Sequence, residues 1–247
     1  MSATSRFLRL RNLNPARLRE LLAHHVLADP DTWERHLIVA QLVGSPASLI
    51  DVGGLRGQLR SFLPRTSVTA VNVSEPADLV ISPGPLPFDD GSFDAATSLD
   101  ALEHVPPEAR RAFVTEVVRV ARQRAVVCCP LGSPEHSVAE QETQAWYQSF
   151  TGKDNPWLAE HLQNGLPTLE NLRDITAPYA GHVEFLFHGD FLEVNEQFKR
   201  IVMAWHRRRV AAVASYARIR LAYRPKLELS DRPSPWTNRV FVVVTRS

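Results

Sequence analysis

Short apolar runs separated by polar or glycine-rich turns organise the middle of the chain. Ser48–Val52, Ser67–Val73, Asp94–Leu99 and Ala125–Cys129 each carry several consecutive β-branched or small apolar residues, and Asp78–Ile81 is a shorter run of the same kind. Short apolar runs of this kind between turns read as strands. Between them the period changes. Phe113, Val114, Val117 and Val120/Ala121 recur at helical spacing and predict a helix over Pro107–Arg122, and Gln58–Leu63 predicts a short one. Strands alternating with helices imply a doubly wound, mostly parallel α/β sheet.

The flanks read as helical. Asn14 as N-cap with Pro15 behind it starts a helix through about Val26. Asp31 with Glu34 three residues on has the form of a capping box and starts a second helix, which Gly44 can end. Residues 1–45 are therefore expected to form a helical cap, 46–132 the core, and 133–180 a helical insertion. The segment 181–247 holds the last two strands, His182–Phe187 and Arg239–Thr245, bridged by a long helical stretch at 190–224. All belong to one structural domain, which suits 247 residues.

The turn Asp51-Val52-Gly53-Gly54-Leu55-Arg56-Gly57 carries the first chemistry. A buried strand ending in close glycines lets the backbone approach a nucleotide-like ligand, because no Cβ stands in the way. Further on come Leu86-Pro87-Phe88-Asp89-Asp90-Gly91-Ser92-Phe93-Asp94 and then Leu102-Glu103-His104. Together these three stretches resemble the class I S-adenosylmethionine-dependent methyltransferases of the small-molecule branch, from about Ser48 to Pro130. The resemblance implies a seven-stranded sheet of order 3-2-1-4-5-7-6, S-adenosyl-L-methionine as cofactor, and methyl transfer to a small-molecule acceptor by direct displacement.

Residue by residue, the resemblance places Gly53, Gly54 and Gly57 along the cofactor and turns the Asp51 carboxylate to its ammonium. Asn72 stands where the family has an acidic ribose ligand, with Val73 beside it. On this reading Asn72→Asp would restore a charge-assisted pair and tighten cofactor binding. Only nine residues separate Asn72 from Ser82, so the helix between strands two and three is missing or reduced, and Ser82 or a backbone carbonyl would serve the adenine. Ser98 and Leu99 would pass beneath the cofactor, with Glu103 and His104 near the methyl group. His104 is the candidate general base, since its ordinary pKa lies near neutrality; a structural helix-start role is the alternative. His136 is a second candidate, against an ordinary exposed-loop residue.

Composition narrows the partners. With 44% hydrophobic and 22% charged residues the chain has globular composition, and no apolar run reaches the ~18 residues of a membrane span. The two cysteines, Cys128 and Cys129, are adjacent and fit neither a cross-link nor a zinc site, so a cytoplasmic location is the default. Charge is uneven: nine Lys and Arg and no acid lie between Glu196 and Glu228, within a net charge of +1. The segment 199–226 could meet an anionic acceptor or an anionic membrane surface, or be a solvated face. Trp146, Tyr147 and Phe150 in the insertion read as packing residues or an acceptor box. Three other functions remain open. A binding module that has lost catalysis is one. A nucleic-acid methyltransferase is another, disfavoured because no Asn-Pro-Pro-Tyr or Pro-Cys motif follows the fourth strand. A nicotinamide dehydrogenase could use the glycine turn but not the two later signatures.

Overall fold

The computed structural model describes residues 30–179, 181–206, 223 and 225–246. The expected helix at Asn14–Val26 and six of the nine basic residues of 199–226 (Arg207, Arg208, Arg209, Arg218, Arg220 and Arg224) lie outside the described residues.

Helix α1 (Pro30–Val43) precedes β1 (Ser48–Val52), β2 (Ser67–Asn72), β3 (Leu79–Val80) and β4 (Phe93–Leu99). Then come α2 (Arg110–Val120), β5 (Ala121–Pro130) and three insertion helices, α3 (Pro134–Thr151), α4 (Pro156–Asn164) and α5 (Leu169–Thr176). Strand β6 (Val183–Asp190), helix α6 (Phe191–His206) and β7 (Thr237–Thr245) complete the chain. The seven strands lie in the order β3-β2-β1-β4-β5-β7-β6, parallel except for β7, which runs antiparallel to both neighbours. This is the expected doubly wound architecture.

Helices cover both faces of the central strands. Leu49, Val126, Cys128, Phe241 and Val243 face α1 with Trp33, Leu37 and Ile38. Ile50, Ala125, Val127, Cys129, Val240 and Val242 face α2 and α5 with Val114, Val117 and Leu172. Successive strand residues point to opposite faces, so Cys128 and Cys129 fall in different clusters and remain free thiols. Among the described residues no helix is long and apolar enough to cross a membrane.

Local chemistry sets the boundaries, and it corrects several expectations. The helix expected at Gln58–Leu63 is only a 3-10 turn, Leu59–Phe62, because six residues separate Gly57 from helix-breaking Pro64. The expected Pro107–Arg122 helix begins later, at Arg110, and stops at Val120 with no glycine. Arg246 Nη1 reaches the carbonyls of Val118, Arg119 and Ala121 at 3.3, 3.0 and 2.8 Å and takes the place of a C-cap. The capping box at Asp31 does not form either. Asp31 lies inside α1, and the Glu34 carboxylate accepts from the Lys226 backbone N–H instead. Gly44 does end the helix, at φ 76°.

The insertion helices start as their sequences dictate: Ser133, Asn155 and Thr168 each cap a backbone N–H, two of them followed by Pro at the first turn. Trp146 stacks on Phe150 and Tyr147 on Phe198 of α6, which makes these aromatics packing residues. Within the basic segment, Lys199 and Lys226 pair with Glu196 and Glu193 at 3.0 and 2.6 Å.

Arg239 of β7 is a buried cation, its side chain 3% exposed. Its guanidinium meets Asp100 at 2.6 Å and Asp31 at 2.5 Å, and Arg35 closes the ring onto both carboxylates at 2.8 and 3.1 Å. Removing one member of such a set strands a buried charge. Arg239→Leu should therefore cost about 3–5 kcal/mol, read as a lowered midpoint in urea; a change below ~1 kcal/mol would show the ring carries little of the fold.

Candidate active site

The strand order reverses between β1 and β4, so the turns after their carboxyl ends diverge and leave a crevice. The glycine turn and the Leu102–His104 segment line it from the two sides.

At the end of β1, Asp51 is 1% exposed and accepts a hydrogen bond from Thr97 Oγ1 of the facing strand at 2.8 Å. Burial pushes its carboxyl up to about 6, against the opposing pull of Thr97 and of Arg35. Gly54 packs directly on this carboxylate: a Cβ there would overlap Asp51 Oδ2. Gly53 turns at φ 84°, and a Cβ on it would stand 2.6 Å from the Ala101 methyl carbon. The backbone of the two turns is thus in near contact, and any side chain at 53 would break the fold before it blocked a ligand. Gly57 is needed for its φ of 81° alone, since open space surrounds it.

Asn72 holds this turn in place. Its Nδ2 donates to the carbonyls of Gly53 and Gly54 at 3.0 and 3.3 Å, and its Oδ1 accepts from the Val73 N–H at 2.7 Å. A ribose hydroxyl would have to share Oδ1 with that N–H. Val73 itself is 59% exposed, and Leu55, Leu79 and Val80 are also exposed on the neighbouring turns and β3. Ser82 is exposed one residue beyond Ile81, whose N–H bonds the Asn72 carbonyl at 2.9 Å. Ser98 and Leu99 are buried in β4, and the Ser98 hydroxyl has no hydrogen-bond partner.

The Leu86–Asp94 stretch is built into the opposite side of the sheet. Its backbone is clamped by α2, with the Leu86 N–H on Glu116 at 2.7 Å and Arg119 on the Phe88 carbonyl at 2.8 Å. Asp94, at the amino end of β4, accepts from the Ala47 and Ser48 N–H groups at 3.0 and 3.1 Å. That motif supports the fold from the far end of the strands.

Beyond β4 the chain turns through Asp100 at φ 46°, then makes the 3-10 turn Leu102–His104. Burial pushes the Asp100 carboxyl up, but Arg239 and Arg35 outweigh it and bring it down to about 2. Glu103 is 1% exposed, and burial, with Asp100 nearby, pushes its carboxyl up to about 8. Its Oε2 has no hydrogen-bond partner. His104 Nδ1 lies 2.6 Å from Glu160 of α4. Burial and His161 hold its pKa below the usual value. His161, also on α4, stacks obliquely on His104 at 4.9 Å and meets Glu140 of α3 through Nδ1 at 2.8 Å. Burial alone would depress the pKa of His161, but Glu140 raises it.

Two staples hold α4 over the turn. Asn164 Nδ2 donates to the His104 carbonyl at 3.1 Å, and Arg110 bridges the Val105 and Gly165 carbonyls at 3.0 and 2.5 Å. His136 lies apart. It is buried at the start of α3, bonded to the Leu131 carbonyl at 2.9 Å and stacked on Phe191, so it is neither an exposed loop residue nor part of this crevice.

The structure brings Asp51, the glycines, Glu103 and His104 to this crevice and adds Arg35, Arg239 and His161, which the sequence reading did not place there. An arginine inside the apolar run of β7 was a signal that a buried anion awaits it. His161 had none, because only the docking of α4 brings it beside His104.

Residues 50–129 match the family model described as a methyltransferase domain. No curated protein sequence matches the chain. Among solved structures, the plantazolicin methyltransferase BpumL, in complex with a monoazolic desmethylPZN analog and SAH, has a TM-score of 0.52 at 10% identity, covering 94% of this chain and 91% of its own. Phosphoethanolamine N-methyltransferase 2 of Haemonchus contortus, in complex with phosphomonomethylethanolamine and S-adenosylhomocysteine, scores 0.52 at 15% identity over 92% of this chain. The chain spans 56% of that enzyme's length. At these identities the likeness is one of fold.

Asn72→Asp gives the sharpest local test. A carboxylate cannot donate to the Gly53 and Gly54 carbonyls and would oppose both, so the earlier expectation of tighter cofactor binding reverses. The variant should lose about 1–3 kcal/mol of stability and weaken S-adenosylhomocysteine binding. Tighter binding with unchanged stability would mean the side chain swings to the ribose.

Proposed function

We infer that this chain, whose residues 50–129 match a methyltransferase domain, transfers a methyl group from S-adenosyl-L-methionine to a small-molecule acceptor. One observation carries the reading: the buried Asp51 carboxylate and the glycine turn packed on it, at the point where the strand order reverses.

The residues present suit that cofactor. The glycines at 53 and 54 let the turn close tightly on Asp51 and Ala101 and present backbone to the methionyl and ribose parts, and Asp51 offers a carboxylate to the ammonium. Asn72 fixes the turn and keeps one lone pair on Oδ1 for a hydroxyl. Val73, with Leu55, Leu79 and Val80, supplies apolar surface for a flat base, and Ser82 or a nearby backbone carbonyl lies beyond it. Ser98 and Leu99 form the floor. Both solved neighbours described above hold S-adenosylhomocysteine, which agrees with this assignment.

When bound, the cofactor supplies a methyl carbon on a sulfonium, open to in-line attack. The chain's task is to orient, to exclude water and to shape charge. Asp51 orients the cationic end and the insertion helix α4 covers the crevice beside the Leu102–His104 turn. Glu103, His104 and His161 occupy the acceptor side. A neutral imidazole at His104 is placed to accept a proton from the acceptor. A contact of 199–226 with an anionic membrane would rest on the arginines outside the described residues. A cofactor-binding module without catalysis shares the Asp51 half, and incubation with radiolabelled cofactor and candidate acceptors separates the two.

The pH dependence of cofactor binding tests the reading. Below about 6 Asp51 is protonated and neutral, while the cofactor's α-ammonium stays charged up to roughly pH 7.7–8.0. Binding of the ammonium favours ionised Asp51, so affinity is full above pH 6 and falls as pH drops through it. Calorimetry between pH 5 and 7.5 should show a loss approaching tenfold per unit on the acid side, with Asp51→Asn weaker and flat. A flat wild-type profile would remove Asp51 from the cofactor.

A further inference from the structure

We propose that Glu103, His104 and His161 form a binding site for one divalent first-row transition-metal ion on the acceptor side of the crevice. One donor atom from each lies within 4.8 Å of the other two. Such proximity alone is weak, since polar groups gather for many reasons. What points to a cation is the state of the donors. Glu103 is 1% exposed, yet its Oε2 has no hydrogen-bond partner, and the buried Nε2 of His161 has none either. A buried polar atom without a hydrogen-bond partner is costly unless something else meets it, and one cation can meet Glu103 Oε2 and His161 Nε2 together.

The outer contacts are those of a ligand set. His104 and His161 each engage a carboxylate through Nδ1, Glu160 at 2.6 Å and Glu140 at 2.8 Å. That fixes the rings and leaves Nε2 of each as the atom for an ion, the arrangement by which second-shell carboxylates orient metal-binding histidines. Glu140 is itself buried at 4% exposure, and the bonds from Asn164 and Arg110 hold the two halves of the site together. Asp100 is close but excluded, because Arg239 and Arg35 occupy its two oxygens.

Two imidazoles and one carboxylate select among metals. Magnesium and calcium prefer all-oxygen shells, whereas Mn²⁺, Fe²⁺, Co²⁺ and Zn²⁺ accept mixed nitrogen and oxygen. Three protein ligands also leave coordination positions for water or an oxygen of the acceptor. The site stands on its own geometry; only its service to an acceptor oxygen rests on the methyl-transfer reading.

The test uses the full chain, stripped of metal with a chelator and titrated with Zn²⁺ by calorimetry and with Co²⁺ by visible absorption. Mg²⁺ serves as the comparison ion. One Zn²⁺ should bind per chain, Co²⁺ should develop d–d bands, and Mg²⁺ should give no saturable heat. His161→Ala and Glu103→Gln should each weaken Zn²⁺ binding at least 30-fold, with thermal melts confirming that the variants fold. Should Glu103→Gln unfold, His161→Ala and His161→Gln carry the comparison. S-Adenosylhomocysteine binding by the His161 variants, which lie outside the cofactor turns, should be unchanged, so failure of the metal site and failure of the cofactor reading give different results. Zn²⁺ binding in wild type no tighter than in the His161 variants, or no one-to-one stoichiometry, would overturn the proposal.

Discussion

Arg239 is the charge around which the working end of the sheet is arranged. It enters on β7, the single antiparallel strand, and therefore arrives among the carboxyl ends of the parallel strands. A guanidinium with a 3% exposed side chain must be surrounded by anions, and the fold supplies Asp100 from the turn after β4 and Asp31 from α1. Arg35 closes the ring from the same helix and lowers the cost of burying Asp51. One buried cation thus ties the cap helix, the last strand and the β4 turn together. The positive φ of Asp100 is the local cost of placing its carboxylate there.

The two halves of the crevice are made in different ways from that platform. On the β1 side the chain offers mostly backbone: glycines pressed against a carboxylate and against Ala101, pinned by the amide of Asn72. Such a surface is rigid and leaves little freedom for drift in binding. On the β4 side it offers side chains, and half of them come from a helix that no strand–helix repeat requires. The insertion supplies His161, Glu140 and Glu160.

Legibility in the sequence followed how local the physics is. The central strands β1, β4, β5 and β7 were readable because each carries apolar residues that are buried, and the glycine turn because only glycine meets its constraints. The strand order came from the resemblance. What failed depended on distant partners. The 3-10 turn at Leu59–Phe62 is cut short by Pro64, which sequence does show. By contrast, Arg246 ends α2 from the other end of the chain, and Lys226 diverts Glu34 from a capping box. Asn72 sat where the family's ribose ligand is expected, but its amide is directed at carbonyls eighteen and nineteen positions earlier. His161 became visible as a functional residue only beside His104.

The central claim is that the Asp51–Gly57 turn and the start of the β4 turn form one cofactor cradle. Amide hydrogen exchange with and without S-adenosylhomocysteine, resolved by peptide mass spectrometry, tests it most directly. Protection concentrated in residues 50–58 and 98–105, with little change in the Leu86–Asp94 stretch on the far side, is the predicted result. Protection at Leu86–Asp94 with none at the glycine turn, or no protection at saturating ligand, would contradict the account.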